Sequence, residues 1–200
     1  ADTGLTPIPD HVTDDNALFL GDILSSGYFG AELAEIQPGD TVAVIGAGPV
    51  GLCAAMCAGL FGAGDVILLD IDAHRLELAK RFGLATYTIN PSAESAEEAV
   101  RALTQGRGAD AVIEAAGGAD TFQTAWQIAR PNSVVALVAM YEQAQPFPLP
   151  NMYGKNLIFK TGGVDAVHCD RLMKLIACGK LNTDFLITHR APLNDLMEGY

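Results

Sequence analysis

The sequence predicts an α/β protein built on a doubly wound, parallel, six-stranded sheet. Short β-branched runs alternate with longer helical patterns along most of the 200 residues, the order of strand and crossover helix that generates a parallel sheet. The divisions fall on Gly and Pro, 21 and 10 in number, the residues that punctuate turns. Half of the chain is hydrophobic and 18% is charged, enough apolar material for one sizeable core.

The elements follow in order. Residues 41–45 are a β-branched run, and residues 49–60 form a helix with Pro49 in its first turn, where a missing N–H costs little. Residues 66–69 make the next strand. Asp72 can cap a helix running to Phe82, and Gly83 can close it in the left-handed conformation. A weaker strand at 85–89, a helix at 95–104, a strand at 111–114, a helix at 121–128 and a strand at 134–138 come next. The Pro-rich stretch 145–150 interrupts the alternation. A sixth strand is expected at 157–160, and a helix at 169–178 ends at Gly179.

Charge and cysteine usage narrow the classes. A formal net charge of −12 repels phosphate backbones and anionic lipid, so neither nucleic acid nor a membrane is an expected partner, and an anionic ligand must be held locally by backbone dipoles. No apolar run approaches the roughly 20 residues that cross a bilayer. The chain opens at Ala1 without a basic and then apolar leader, which leads us to expect a piece of a longer cytoplasmic protein. No two of Cys53, Cys57, Cys169 and Cys178 have zinc-knuckle spacing, so neither a disulfide framework nor a structural zinc lobe is expected. Cys53 and Cys57 share one helix face and read as core.

The strongest chemical signal is Gly46-Ala47-Gly48-Pro49-Val50-Gly51, between the first strong strand and its helix. Gly46 permits a tight turn, Gly48 lets a pyrophosphate approach the backbone, and Gly51 lets helix and strand pack closely. The helix N-terminus supplies unpaired N–H donors for phosphates. Such a turn also arises for steric reasons alone, but Asp70 stands 19 positions past Gly51 at the tip of the second strand. That is close to the roughly 20-residue offset at which a carboxylate accepts from ribose hydroxyls. A dinucleotide is therefore expected, and NAD rather than NADP, because the carboxylate repels an added 2′-phosphate. Arg75 is placed to accommodate such a phosphate in part. His74 reads as a solvated helix residue, and Asp72 as a cap.

The stretch 39–52, Gly-Asp-Thr-Val-Ala-Val-Ile-Gly-Ala-Gly-Pro-Val-Gly-Leu, resembles the nucleotide-binding segment of zinc-containing alcohol dehydrogenases, a branch of the medium-chain dehydrogenase/reductase superfamily. Leu20 to Tyr28 resembles the segment through which that family enters its coenzyme domain, and Leu186-Ile187-Thr188-His189 the strand before its closing helices. The resemblance implies a Rossmann domain at 23–164. It places 1–22 at the boundary with a GroES-like catalytic domain and packs 165–200 toward that domain. It implies hydride transfer between NAD and an alcohol, aldehyde or ketone, with a catalytic zinc bound by three protein ligands.

Only one of those ligands maps onto this chain: Asp22, in a position that is usually Cys. Helix capping is its alternative role. The same resemblance sets Ser26 near the nicotinamide, with a turn or cap as alternative. Ala115 and Ala116 fall beside the nicotinamide ribose, and the backbone at Val138, Met140 and Gly162 near the carboxamide. It also implies a dimer or tetramer, with Met152, Tyr153, Leu157 and Phe159 at the interface. His168 reads as a helix start and His189 as a structural histidine, while His11 is unassigned. A polyol, threonine or formaldehyde dehydrogenase, a zinc-free reductase of the same superfamily, and a non-catalytic NAD-sensing module remain open on these residues.

Overall fold

A computed structural model describes residues 5–164, 166 and 168–198. Six strands form one parallel sheet: β1 (Thr41–Ile45), β2 (Asp65–Leu69), β3 (Tyr87–Ile89), β4 (Ala109–Glu114), β5 (Ala129–Leu137) and β6 (Ile158–Thr161). Their spatial order is β3-β2-β1-β4-β5-β6. The chain winds outward from β1 to β3, returns to lay β4 on the other side of β1, and winds outward again. This is the doubly wound order expected, and its switch point lies between β1 and β4.

Both faces of the sheet are buried, which is why its central strands read as unbroken apolar runs. Side chains alternate between faces with period two. Val42, Val44, Leu68 and Ile113 join a core with helices α2 (Ile23–Leu33), α3 (Pro49–Leu60) and α8 (Cys169–Ala177). Ala43, Ile45, Ile67, Leu69 and Val112 face α5 (Ala96–Leu103) and α6 (Thr121–Ile128). The short α1 (Asp14–Ala17) and α4 (Ala73–Arg81) flank the first core, and α7 (Leu149–Met152) precedes β6.

The caps are those the residue types dictate. The Asp72 carboxylate accepts the N–H groups of His74 and Arg75 at 2.8 and 3.3 Å, and Gly83 ends the helix at φ +65°. Ser95 accepts the Glu98 N–H at 3.3 Å. Gly179 follows α8 at φ +70°. Cys53 and Cys57 are buried as expected, and burial pushes the Cys53 thiol up to about 12. They pack where α2 crosses α3: a Cβ at Gly27 would stand 2.5 Å from that of Cys53. Cys178 is exposed at the end of α8.

Three expectations change. The strand resembled at 186–189 is absent: Asp184–Leu186 is a 3-10 turn and the residues after it pair with no strand. The sheet already ends at β3 and β6, while this segment runs beside α1. There Thr183 donates to the Asn16 carbonyl and Arg190 pairs with Asp15. His189 is accordingly exposed. Strand β5 begins at Ala129 rather than 134, because Ala129 pairs with Ala109 before the register shifts. Met152 is not on the surface; it is 5% exposed and packs with Phe122 and Trp126, with Leu157 and Phe159 half-buried against them. Of the four apolar residues expected at an interface, Tyr153 is the exposed one, at 89%.

Asp110 ties the far edge of the sheet together. It accepts from Thr41 N at 2.9 Å and from Arg130 Nε at 2.6 Å, and lies 3.5 Å from Arg107 Nη1. Burial alone would raise its pKa, but the Thr41 N–H and the two guanidinium groups outweigh burial and hold the carboxyl below its ordinary 3.8. A depressed folded-state pKa adds stability above the unfolded value, and that stability disappears as pH falls through the folded value. Asp110→Asn is expected to lower stability at neutral pH by about 1–3 kcal/mol. In urea denaturation, the gap to wild type should close as pH drops below about 4.

Candidate nucleotide-binding site

Parallel register assembles the site. Ile45 pairs with Leu69 on one side and Glu114 on the other, and Glu114 pairs with Leu137. The residues that follow, Gly46, Asp70, Ala115 and Val138, therefore leave the sheet along one edge, at the carboxyl ends of the strands where doubly wound folds bind ligands. The ladder continues one step beyond the strands: Gly46 N donates to Leu69 O at 2.7 Å, Ala115 N to Ile45 O at 2.8 Å, and Val138 N to Glu114 O at 2.9 Å.

The three glycines of the loop have different reasons. Gly46 turns at φ +98°. A Cβ on Gly51 would collide with the Gly46 carbonyl oxygen, so α3 can start against the loop only without one. Gly48 is the N-cap of α3 in extended backbone, with no side-chain cap bond, and a Cβ there would meet nothing within 4 Å. The space above it is open, next to first-turn N–H groups that have no partner within the helix. Pro49 at the first helical position donates none. This open cradle at a helix N-terminus suits a phosphate.

Asp70 reaches into the same loop. Its Oδ2 accepts Ala47 N–H at 2.6 Å and its Oδ1 accepts Asp72 N–H at 2.8 Å, with the side chain 8% exposed. Each carboxylate oxygen has two lone pairs, so one N–H apiece leaves capacity for ribose hydroxyls. Arg75 lies over the pair, 4.0 Å from Asp70 Oδ2 and 3.7 Å from Asp72 Oδ2, half exposed. His74 is exposed.

Beside the helix start lies a cavity of about 890 Å³ whose wall includes Asp22, Ser26, Val50, Ala115, Ala116, Val138, Met140 and Gly162. All eight are residues singled out in the sequence. Val50 connects this cavity to the glycine loop. Ser26 is buried and its hydroxyl donates to Asp22 Oδ1 at 3.3 Å. The side chain of Asp22 makes no cap bond to α2 and is exposed, so helix capping is not its role.

Among the described residues no group of three or more His, Cys, Asp or Glu could hold a metal. The described residues therefore set no group of metal ligands around Asp22. His168 starts α8 and its Nε2 lies 3.2 Å from Glu32 Oε2, engaged with a carboxylate rather than paired with Cys169 about an ion.

Two groups at this edge escaped sequence reading. Tyr141 lines the cavity, and Glu114 lies wholly buried behind it. Burial, reinforced by the Glu114 carboxylate, pushes the Tyr141 phenol well up, with Thr121 opposing. A charged residue closing the apolar run Ala111-Val112-Ile113 was the available signal for Glu114.

Fold, glycine loop and acidic strand tip together define a Rossmann-type α/β domain. The sequence profile of zinc-binding dehydrogenases matches residues 49–165, and the chain belongs to that family. An alcohol dehydrogenase of Cupriavidus necator is 37% identical over 206 residues, covering 100% of this chain and 56% of the relative. The NADP-dependent isopropanol dehydrogenase of Thermoanaerobacter brockii is 35% identical over 195 residues, covering 94% and 55%. Among solved structures, the alcohol dehydrogenase TADH from Thermus sp. ATN1 superposes with a TM-score of 0.92 at 36% identity, covering 98% of this chain and 56% of that one. The chain thus spans about half the length of the relatives it matches.

The glycine geometry separates two effects within one motif. Gly51→Ala is expected to destabilise the fold by at least about 2 kcal/mol, because backbone must move. Gly48→Ala should melt within about 0.5 kcal/mol of wild type. Denaturant titration of both variants checks this, and equal stabilities would remove the assigned difference.

Proposed function

We propose that this chain is the nucleotide-binding part of an alcohol dehydrogenase that moves hydride between NAD and an alcohol, aldehyde or ketone. The observation that carries the reading is the Asp70 carboxylate beside the open cradle at Gly48. The first turn of α3 takes the pyrophosphate and Asp70 the adenosine ribose. The small side chains of Ala115 and Ala116, with the backbone at Val138, Met140 and Gly162, frame the nicotinamide end. Bound there, a nicotinamide supplies the hydride donor or acceptor. Ser26 holds Asp22 toward the same cavity, and Asp22 is one oxygen donor of a metal site whose other ligands lie elsewhere in the protein.

The same reading assigns residues 23–164 to the nucleotide domain and segments 1–22 and 165–200 to the contact with a catalytic domain. Residues 1–4, 165, 167 and 199–200 of these assignments lie outside the described residues. No helix among the described residues is long and apolar enough to cross a membrane. The four free cysteines fit a reducing cytoplasm.

A second cofactor reading has support of its own. The Thermoanaerobacter brockii relative is NADP-dependent, and Arg75 stands beside Asp70 as a counter-charge for a 2′-phosphate. The Asp70 carboxylate, shielded from solvent and already committed to the loop, favours NAD. Calorimetric titration with NAD and with NADP decides between them. NAD should bind more tightly, and Asp70→Asn should narrow the ratio at least about tenfold, an electrostatic difference of about 1.4 kcal/mol. Tighter binding of NADP by wild type would overturn the NAD assignment.

We propose further that the intact protein is a homo-oligomer joined at the open edge of β6, where Leu149, Tyr153 and Ile158 are 63%, 89% and 52% exposed. Sedimentation velocity should show a dimer or larger. A monomer at high protein concentration would exclude it.

A further inference from the structure

Glu114 ends β4 at the ligand edge, and its side chain is completely buried. A carboxylate inside an apolar sheet is costly unless its oxygens meet donors. Oε1 accepts two, Ala116 N–H and Gly117 N–H, each at 2.9 Å. Oε2 has no hydrogen-bond partner among the described residues. The main-chain carbonyl of Glu114 accepts Val138 N–H at 2.9 Å and Ala139 N–H at 3.2 Å. A single residue thus holds the first turns of both loops that wall the cavity. The loops also rest on each other: Gly117 sits at φ +68°, and a Cβ there would come within 2.6 Å of the Met140 carbonyl oxygen. Tyr141, which continues the second loop, is 3.4 Å from Thr121 Oγ1.

We propose, resting on the nucleotide reading above, that Glu114 is a positioning residue for the nicotinamide end of the ligand. The reach of its side chain to Ala116 and Gly117 sets the cavity wall, and its negative charge is secondary. The adenosine end is organised separately, by Asp70 on Ala47 and Asp72. Damage at Glu114 should therefore be felt by a ligand that carries the nicotinamide and its ribose and not by one that stops at the pyrophosphate.

The test uses the 200-residue chain. It compares binding of NADH, or of NADPH if wild type prefers it, with binding of ADP, or of ADP carrying the 2′-phosphate in the second case. Glu114→Asp keeps the charge but is one methylene too short to hold both N–H groups, whereas Glu114→Gln keeps the reach and an acceptor oxygen. In Glu114→Asp the reduced dinucleotide should weaken about tenfold, the loss of one hydrogen bond, while ADP binding stays within about threefold. Glu114→Gln should restore dinucleotide binding to within about threefold of wild type. Unchanged dinucleotide binding in Glu114→Asp, or equal weakening of both ligands, would overturn the proposal. If Glu114→Asp does not fold, Glu114→Gln decides alone: a tenfold loss of dinucleotide affinity with ADP binding intact would show that charge, not reach, is required, and overturn it. Wild type that binds neither ligand would instead defeat the nucleotide reading itself, and this inference with it.

Discussion

The register that sets Ile45 beside both Leu69 and Glu114 is the constraint on which the ligand edge depends. In a parallel sheet every strand ends at the same edge, so residues distant in sequence emerge together without any contact between their side chains. A slip of one residue in β1 would turn Val42 and Val44 toward the helices that now cover Ala43 and Ile45. Such a slip is opposed by the whole two-faced core, in which these residues are no more than 4% exposed. The position of the glycine loop is thus secured by packing far larger than anything the loop itself contributes.

Within that frame, carboxylates do the local work. Asp70 ties the glycine loop to the turn before α4, Asp110 ties the start of β1 to β5, and Glu114 ties the two loops of the cavity. Each is largely shielded from solvent and each accepts backbone N–H groups, the arrangement that makes a buried anion tolerable. Asp110 also has arginines beside it. Asp70 shares a half-exposed arginine with Asp72. Their placement explains how a strongly acidic chain still forms a dense interior, since part of its negative charge organises backbone at the sheet edges. The open N-cap at Gly48 presents helix N–H groups rather than a basic surface.

The metal chemistry of the family stands apart from this. Asp22 and Ser26 contact each other at the cavity wall, but the described residues contain no metal-binding set. The chain covers 56% of the Cupriavidus necator relative. The described residues of this chain therefore offer a cradle suited to a phosphate at the glycine loop but no set of metal ligands around Asp22.

How much was legible beforehand differs by kind of feature. The glycine loop, the acidic strand tip, the cap at Asp72 and the alternation of strand and helix depend on local steric rules, and these the sequence by itself determined. The strand expected at 186–189 failed because a strand exists only where an edge accepts it, and this segment lies against α1 instead. Met152, Leu157 and Phe159 were placed at an interface by the resemblance alone; only packing revealed that Met152 belongs to an interior cluster. Glu114 is the clearest case. Its neighbours were readable as small residues at a strand end, but the burial of its carboxylate, and its hold on two loops at once, follow from β4 lying between β1 and β5. That order arises from the return crossover, which no local pattern encodes; local sterics fix each turn, while the tertiary fold decides which turns meet.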